Sequence, residues 1–126
     1  MSDGTSPPAL VLVVDDEAVL RLIAADVLED SGFRVVEAED AEAALRVLTD
    51  YPGVRVLFTD INMPGALDGL DLAQEVNARW PDIKLVVTSG RPKPTGKEIP
   101  DNGRFVAKPY SPDALVEVIR EAVGEA

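Results

Sequence analysis

The sequence predicts a doubly wound α/β domain around a parallel sheet, and three observations support this prediction. Short apolar runs alternate with segments of helical periodicity, as in repeated βα units. Runs such as 9–14 and 85–87 are apolar throughout, which is typical of strands that helices cover on both faces. The chain has 126 residues, which is the length of one domain with one core.

The apolar runs and the helical segments predict five strands and the position of the first helix. The five strands are predicted to begin near Leu10, Phe33, Arg55, Ile83 and Arg104. The first helix is predicted to run from Glu17 to Asp30 and to be closed by Gly32 as a C-terminal cap. Its predicted core positions are Leu20, Ile23 and Val27.

Three further helices carry their own start signals. Asp40 is the predicted cap of the second, whose apolar residues at helical spacing are Ala41, Ala44, Leu45 and Leu48. The third is predicted over Leu70 to Arg79, with Ala73, Val76 and Trp80 on one side. The last begins with Ser111 as cap and Pro112 at its first helical position. Its predicted buried stripe is Leu115, Val118, Ile119 and Ala122.

The interval between Thr88 and Phe105 breaks the βα pattern. It holds three prolines, three glycines and almost no apolar residue, so a regular helix of about three turns does not fit there. The fourth crossover helix is therefore predicted to be absent, or reduced to about one turn around Gly96 to Ile99. Gly90 to Gly103 is predicted to be the most mobile internal segment, and an ordinary surface loop is the alternative.

Composition excludes several classes of function. The chain has no cysteine and no histidine, so any metal must be held by oxygen ligands. A formal charge of −11 disfavours direct binding to nucleic acid. We find neither a membrane-spanning run nor a secretory signal, and we expect a cytoplasmic protein. Residues 1–8 are predicted to be a disordered tail, and 9–126 one domain.

Three carboxylates directly follow two predicted buried strands. Asp15 and Asp16 come after the first run, and Asp60 follows 54–59. Each has an ordinary alternative, because Asp15 or Asp16 could cap the first helix and Asp60 could be a turn residue. Ligands bind an open α/β sheet where its winding reverses, and a strand order of 2-1-3-4-5 would bring the three acids together there. Crowded carboxylates favour a hard cation, so the sequence predicts a Mg²⁺ or phosphoryl site.

These residues are part of a longer set of motifs. The set is Asp15-Asp16, Asp60, Met63-Pro64, Asp68-Gly69, Thr88-Ser89 and Lys108-Pro109. In order and spacing it resembles the receiver domain of bacterial two-component response regulators, and the resemblance covers about residues 10–123. It implies a flavodoxin-like five-stranded parallel sheet in the order 2-1-3-4-5, with the fourth helix short or absent here.

The resemblance also implies roles around a metal. Asp60 is the expected phosphoacceptor, and Asp16 and Asp60 are the expected direct Mg²⁺ ligands. Asp15 is expected to act through a bound water, and Asn62 to supply its backbone carbonyl. An Asp carboxylate can attack a phosphoryl group in line when cations screen it from the anionic donor.

The resemblance also implies residues for a conformational switch controlled by phosphorylation. The resemblance implies that Lys108 pairs with the phosphoryl oxygens and that Thr88 donates its hydroxyl to them. Phe105 is the expected switch aromatic, and it lacks the hydroxyl of the commoner tyrosine. The stretch from Met63 to Gly69 is one residue longer than the usual Met-Pro-x-Met-Asp-Gly.

From these expectations we predict a stand-alone response regulator, phosphorylated by a histidine kinase or a histidine phosphotransfer protein. Its output would be a protein contact, a phosphate relay step or the draining of phosphoryl groups from a kinase. We expect a monomer or weak dimer that catalyses only its own phosphorylation and dephosphorylation. An aspartyl-phosphate phosphatase is disfavoured because Asn62 stands where a second acid is needed. A phosphorylation-independent scaffold is disfavoured by the retained acids, Thr88 and Lys108.

Overall fold

The computed structural model describes residues 8–90, 99 and 103–124. In this part of the chain lie β1 (Leu10–Val14), α1 (Ala18–Asp30), β2 (Arg34–Ala38), α2 (Ala41–Asp50), β3 (Val54–Asp60), α3 (Gly69–Arg79), β4 (Lys84–Ser89), β5 (Arg104–Ala107) and α4 (Pro112–Val123). The five strands form one parallel sheet in the order β2-β1-β3-β4-β5, as predicted. The described residues contain four helices.

Two groups of predictions concern residues outside the part of the chain that the structure describes. Residues 91–98 and 100–102 lie outside the described part of the chain, and they make up most of the segment predicted to be mobile. The predicted short turn around Gly96 to Ile99 lies mostly in the same interval. The predicted disordered tail, 1–8, lies outside the described residues except for Pro8.

Both faces of the sheet carry a hydrophobic core, as the continuous apolar strands predict. On one face the strands pack against α2 and α3, through residues such as Leu57, Leu72 and Val76. On the other face they pack against α1 and α4, through residues such as Leu28 and Ile119. No helix within the described ranges is long and apolar enough to cross a membrane.

The predicted helix caps on α2 and α4 are confirmed. The Asp40 carboxylate accepts a hydrogen bond of 2.8 Å from the Ala43 N–H. The Ser111 hydroxyl accepts one of 3.1 Å from the Ala114 N–H. Each bond satisfies a backbone donor that the first helical turn leaves without a partner, and such a cap stabilises a helix by about 1 kcal/mol.

The predicted buried face of α1 was partly wrong. Ile23 is 53% exposed, and the buried side chains of this helix are Ala24, Ala25 and Leu28. The helix places its small alanines against the sheet, and this rotates Ile23 away from the core. Leu20 and Val27, the other two predicted core positions, are half-buried. One side of α1 therefore presents apolar side chains that the described fold does not cover.

Gly69 begins α3 at the point where this helix meets the end of β3. A Cβ atom at this position would overlap the backbone carbonyl oxygen of Asp60 and would lie 2.7 Å from the Ile61 Cα atom. The Gly69 N–H donates a 2.9 Å hydrogen bond to the Ile61 carbonyl. Glycine therefore permits a backbone approach that places α3 beside the end of β3.

Gly69→Ala is expected to lower the free energy of unfolding by about 2–3 kcal/mol, because the obstructing atoms belong to the backbone and cannot rotate away. Urea denaturation measures this loss. Gly53→Ala is the matched control, since no atom lies within 4 Å of a Cβ built there. Equal losses in the two variants would show that the close approach at Gly69 has no energetic role.

Candidate phosphoryl-accepting site

Three carboxylates meet at the carboxyl ends of β1 and β3. These strands are neighbours in the sheet, so Asp15 and Asp16 lie beside Asp60. One oxygen from each carboxylate lies within 4.8 Å of the others. Asp15 and Asp60 are each 4% exposed, whereas Asp16 is exposed. The structure thus brings together the acids that the sequence pattern singled out.

Lys108 bridges two of these acids from the end of β5. Its Nζ atom donates a 3.0 Å hydrogen bond to Asp60 Oδ2 and a 3.2 Å hydrogen bond to Asp15 Oδ2. The Lys108 side chain is only 16% exposed, so water screens these ion pairs weakly. The ammonium group therefore offsets part of the repulsion between the acids in the unmodified protein.

The surroundings of Lys108 raise the pKa of its ammonium group. Burial alone would lower this pKa, but the hydrogen bond and charge of Asp60, with those of Asp15, outweigh burial. For the Tyr110 hydroxyl, burial has the opposite effect and raises the pKa; the charges of Asp15 and Asp60 also raise it, and the charge of Lys108 opposes them. At neutral pH Lys108 is therefore charged and Tyr110 is neutral.

Arg21 holds the acidic segment in place from α1. Its Nη1 atom donates a 2.7 Å hydrogen bond to the backbone carbonyl of Asp15, and its Nε atom donates one of 3.1 Å to Glu37 Oε1. The Asp15 carboxylate also accepts a 2.9 Å hydrogen bond from the Glu17 N–H at the start of α1. The N-cap of α1 is Glu17 and has no side-chain cap, so Asp15 does not cap this helix as the alternative proposed; it orients the residue before the helix and belongs to the acidic cluster.

The loop after Asp60 is hydrogen-bonded to the carboxyl edge of the sheet. The Asn62 N–H donates a 3.0 Å hydrogen bond to Asp60 Oδ1, and the Ile61 N–H donates one of 2.8 Å to the Thr88 carbonyl. The Ser89 hydroxyl donates a 2.6 Å hydrogen bond to the Asn62 side-chain oxygen. Both oxygens of Asp60 are therefore held, one by Asn62 and the other by Lys108.

Thr88 is the residue across from Asp60 in the pairing of β3 with β4. It is 1% exposed, and its hydroxyl oxygen has no hydrogen-bond partner among the described residues. A buried hydroxyl without a partner costs free energy, and such groups are uncommon in folded proteins. Its position beside Asp60 fits a hydroxyl that gains its partner when an oxygen-rich group is added there.

Phe105, the predicted switch aromatic, lies in β5 opposite Val87. Its half-buried ring packs with the cluster formed against α2 and α3. Thr88 follows Val87 on β4, and successive strand residues point to opposite faces. Thr88 and Phe105 therefore lie on opposite faces of the sheet, so a signal between them would have to cross it. The switch role of Phe105 stays a prediction.

A cavity of about 420 Å³ opens beside Lys108. It is lined mainly by apolar groups, with Leu20 and Ile23 from α1 on one side and Pro109 and Tyr110 on the other. The Tyr110 ring packs edge-on against Phe58, with ring centroids 5.7 Å apart. The cavity connects the exposed side of α1 with the Lys108 end of the acidic site.

The donor set at this edge fits Mg²⁺. Mg²⁺ prefers oxygen ligands, and proteins typically hold it with one or two carboxylates together with water or phosphate. Asp15, Asp16 and Asp60 supply carboxylate oxygens close enough to share one ion. The Asn62 carbonyl stays a predicted ligand, on a residue whose N–H already contacts Asp60.

Sequence reasoning assigned no role to two residues that organise this edge. Arg21 was detectable as a lone cation in a first helix that is otherwise apolar or acidic. Ser89 belonged to the Thr88-Ser89 motif, but the motif gave the serine no role of its own. Its importance comes from contacts with distant parts of the chain.

Comparison with known proteins identifies the family. The model of the response regulator receiver domain matches residues 11–120. The chain is 36% identical over 122 residues to the hydrogenase transcriptional regulatory protein HoxA of Cupriavidus necator, covering 91% of this chain and 24% of that protein. It therefore spans about a quarter of the length of HoxA.

A chemotaxis protein and a solved receiver domain are matched over almost the whole of their chains. A chemotaxis protein CheY homolog of Campylobacter jejuni is 32% identical, over 90% of this chain and 92% of that protein. The solved receiver domain of NtrX from Brucella abortus is 32% identical, with a TM-score of 0.79, over 92% of this chain and 99% of that chain. By its sequence, its sheet order and these matches, this chain belongs to the response regulator receiver domain family.

Proposed function

We propose that this protein accepts a phosphoryl group on Asp60 from a histidine kinase or a histidine phosphotransfer protein, and that this modification switches a protein-interaction surface. One observation carries the proposal. The Asp60 carboxylate is buried beside two other acids and is held by the Lys108 ammonium and the Asn62 N–H. A carboxylate in this position is oriented and screened for attack on an anionic donor.

The reaction forms one bond and breaks one. An oxygen of Asp60 attacks phosphorus in line, and the bond from phosphorus to the donor's histidine nitrogen breaks, with its electron pair leaving on that nitrogen. Lys108 stabilises the negative charge that gathers around phosphorus. Bound at Asp15, Asp16 and Asp60, Mg²⁺ would neutralise charge on the phosphoryl oxygens.

The switch follows from the added charge. A phosphoryl group on Asp60 brings acceptor oxygens next to the Thr88 hydroxyl, which has no partner within the described part of the chain. Thr88 then donates to one of them, and Lys108 exchanges its bond to Asp60 for a bond to the phosphoryl group. These exchanges shift the ends of β4 and β5, and we propose that Phe105 follows this shift by repacking.

This function is tested by incubating the protein with acetyl phosphate and separating the products on a gel that retards phosphoproteins. We expect one added phosphoryl group that requires Mg²⁺ and is released by hydroxylamine, as acyl phosphates are. Absence of labelling with Mg²⁺ present would refute the proposal. Sustained turnover of a generic phosphomonoester, without a labelled intermediate, would instead favour a phosphatase.

The donor is proposed to dock on an apolar patch of α1 formed by Val19, Leu22 and Ile23. These side chains are 68%, 57% and 53% exposed, and their spacing places them on one side of the helix. Ile23 also lines the cavity beside Lys108, so the patch is continuous with the site. A donor that approaches Asp60 from the α1 side would contact this patch.

Leu22→Ser is expected to slow transfer from a phosphorylated histidine donor about tenfold or more, because a buried leucine at an interface contributes about 1.5 kcal/mol or more. The donor used is the kinase or phosphotransfer protein that phosphorylates wild type fastest among a purified panel. Labelling by acetyl phosphate should not change, because Leu22 lies outside the acidic site. Tyr51→Ser removes a side chain that is 50% exposed at the end of α2, and it is the control for surface chemistry elsewhere. If Leu22→Ser slows labelling by acetyl phosphate as much as it slows transfer from the histidine donor, the patch is not a docking surface.

Other predictions from the sequence remain part of this proposal. They include a cytoplasmic location, a monomeric or weakly dimeric state, and autodephosphorylation as the only hydrolysis. A relay step or the draining of phosphoryl groups from a kinase is the alternative output, and both use the same chemistry at Asp60.

A further inference from the structure

The guanidinium group of Arg21 lies against the peptide unit that joins the two acids at the end of β1. Its Nη1 atom donates a 2.7 Å hydrogen bond to the Asp15 carbonyl oxygen. That carbonyl and the Asp16 N–H belong to the same planar peptide unit, so the guanidinium is also close to the backbone of Asp16. Arg21 is the one basic residue of α1. It therefore places a positive charge beside the acidic cluster.

Glu37 on β2 holds this guanidinium from the other side. Its Oε1 atom accepts a 3.1 Å hydrogen bond from Arg21 Nε. The Arg21 side chain is 19% exposed, so water screens this ion pair less than it screens a pair on the open surface. The next residue of β2, Ala38, accepts a 3.3 Å hydrogen bond from the Asp15 N–H. Glu37 thus both orients the guanidinium and compensates its charge, from a strand that is bonded to the acidic segment.

Asp16 is the exposed member of the acidic cluster, and its carboxylate forms no ion pair or hydrogen bond with any part of the chain that the structure describes. A guanidinium binds a carboxylate strongly, because two parallel N–H groups can meet the two oxygens. If Arg21 lost its bond to Glu37, Asp16 would be the neighbouring acid that is open to it. A guanidinium paired with Asp16 would compete directly with a metal ion for the same oxygens.

We propose that Glu37 is a positioning residue that keeps the Arg21 guanidinium on the Asp15 carbonyl and away from the Asp16 carboxylate, so that Asp16 stays available to Mg²⁺. This inference rests on the proposed function, because it concerns the metal at the same site. Glu37 has no contact with the acids themselves and acts through Arg21. Without Glu37, an uncompensated positive charge beside the cluster and a competing partner for Asp16 would both weaken Mg²⁺ binding.

The first test is the Mg²⁺ dissociation constant of the unmodified protein, measured by titrating magnesium chloride and following backbone amide signals by nuclear magnetic resonance. Glu37→Ala is expected to weaken binding about tenfold, as is usual for a residue that acts on metal ligands from outside the coordination sphere. Glu39→Ala is the matched control, because Glu39 is an exposed acid two residues further along that has no ion pair among the described residues. It is expected to change binding less than about twofold. Equal weakening in both variants would show that only the lost charge matters and would overturn the proposal.

A second test asks whether Glu37 acts through Arg21. In an Arg21→Met background, Glu37→Ala is expected to have no further effect on Mg²⁺ binding, because no guanidinium remains to be held. The same weakening in both backgrounds, or none in either, would overturn the proposal. Urea unfolding verifies that each variant is folded before its affinity is compared.

Labelling by acetyl phosphate separates this inference from the proposed function. The Mg²⁺ concentration that gives half the maximal labelling rate is expected to rise in Glu37→Ala by the same factor as the dissociation constant. A lower maximal rate with an unchanged Mg²⁺ requirement would contradict the positioning role. A failure of wild type to become labelled would refute the proposed function, and the Mg²⁺ titration of the unmodified protein would still decide the role of Glu37.

Discussion

Asp60→Asn is expected to abolish labelling by acetyl phosphate, with a loss of at least about 10³-fold in rate. The amide keeps the shape of the side chain and can still accept the Asn62 N–H bond. It lacks the carboxylate that forms the new bond to phosphorus. The rate of labelling is followed on the gel that retards phosphoproteins, with saturating Mg²⁺.

Asp50→Asn is the matched control, since Asp50 is an exposed acid at the end of α2 and lies outside the site. It should label at the rate of wild type. Unfolding in urea verifies that both variants are folded. Labelling of Asp60→Asn at the wild-type rate would show that another residue accepts the phosphoryl group.

Lys108→Met is expected to slow labelling by about 10²-fold, the usual cost of removing one group that stabilises charge in a transition state. Methionine retains most of the length of the side chain without its charge. The matched control is Lys84→Met, because Lys84 is an exposed lysine at the start of β4. If the two variants label at the same rate, Lys108 does not act on the phosphoryl group.

The same substitution is expected to lower the free energy of unfolding by about 2–3 kcal/mol in the absence of Mg²⁺, because Asp15 and Asp60 lose their shared cation. The folded-state pKa of Lys108 is raised, so its contribution is fully present below the unfolded pKa of about 10.4. It disappears as the pH rises through the folded pKa. The stability difference between wild type and Lys108→Met should therefore be constant near neutral pH and shrink only in strong alkali.

The fold was predictable because its signals are local and repeated. The apolar runs predicted the five strands and their parallel pairing, and each strand begins within one residue of the predicted position. Asp40 and Ser111 predicted helix starts because a capping side chain bonds to a backbone donor only three residues away. These interactions depend on neighbouring residues, which the sequence shows directly.

The buried face of α1 was less predictable, because it depends on how closely the helix packs against the sheet. Periodicity predicted Ile23 at the core, and the structure buries Ala24 and Leu28. A large apolar side chain is therefore exposed beside the site. Hydrophobicity alone cannot separate a residue that packs inside the domain from one that serves a partner.

Contacts across the carboxyl edge of the sheet were predictable only in part. The resemblance to receivers assigned Asp60, Lys108 and Thr88, and the structure places all three at one edge. It could not supply the hydrogen bond from Ser89 to Asn62, which joins residues 27 positions apart through unremarkable side chains. Such contacts depend on how the end of β4 lies against the loop after β3, which no local pattern encodes.

Chemical mapping of the labelled protein shows directly whether Asp60 itself carries the phosphoryl group. Borohydride reduces an aspartyl phosphate to homoserine, and mass spectrometry of the digested protein locates the converted residue. We predict conversion at Asp60, in wild type labelled with acetyl phosphate and Mg²⁺, and none in unlabelled protein. Conversion at Asp15 or Asp16, or labelled protein with no converted aspartate, would show that Asp60 is not the phosphoacceptor.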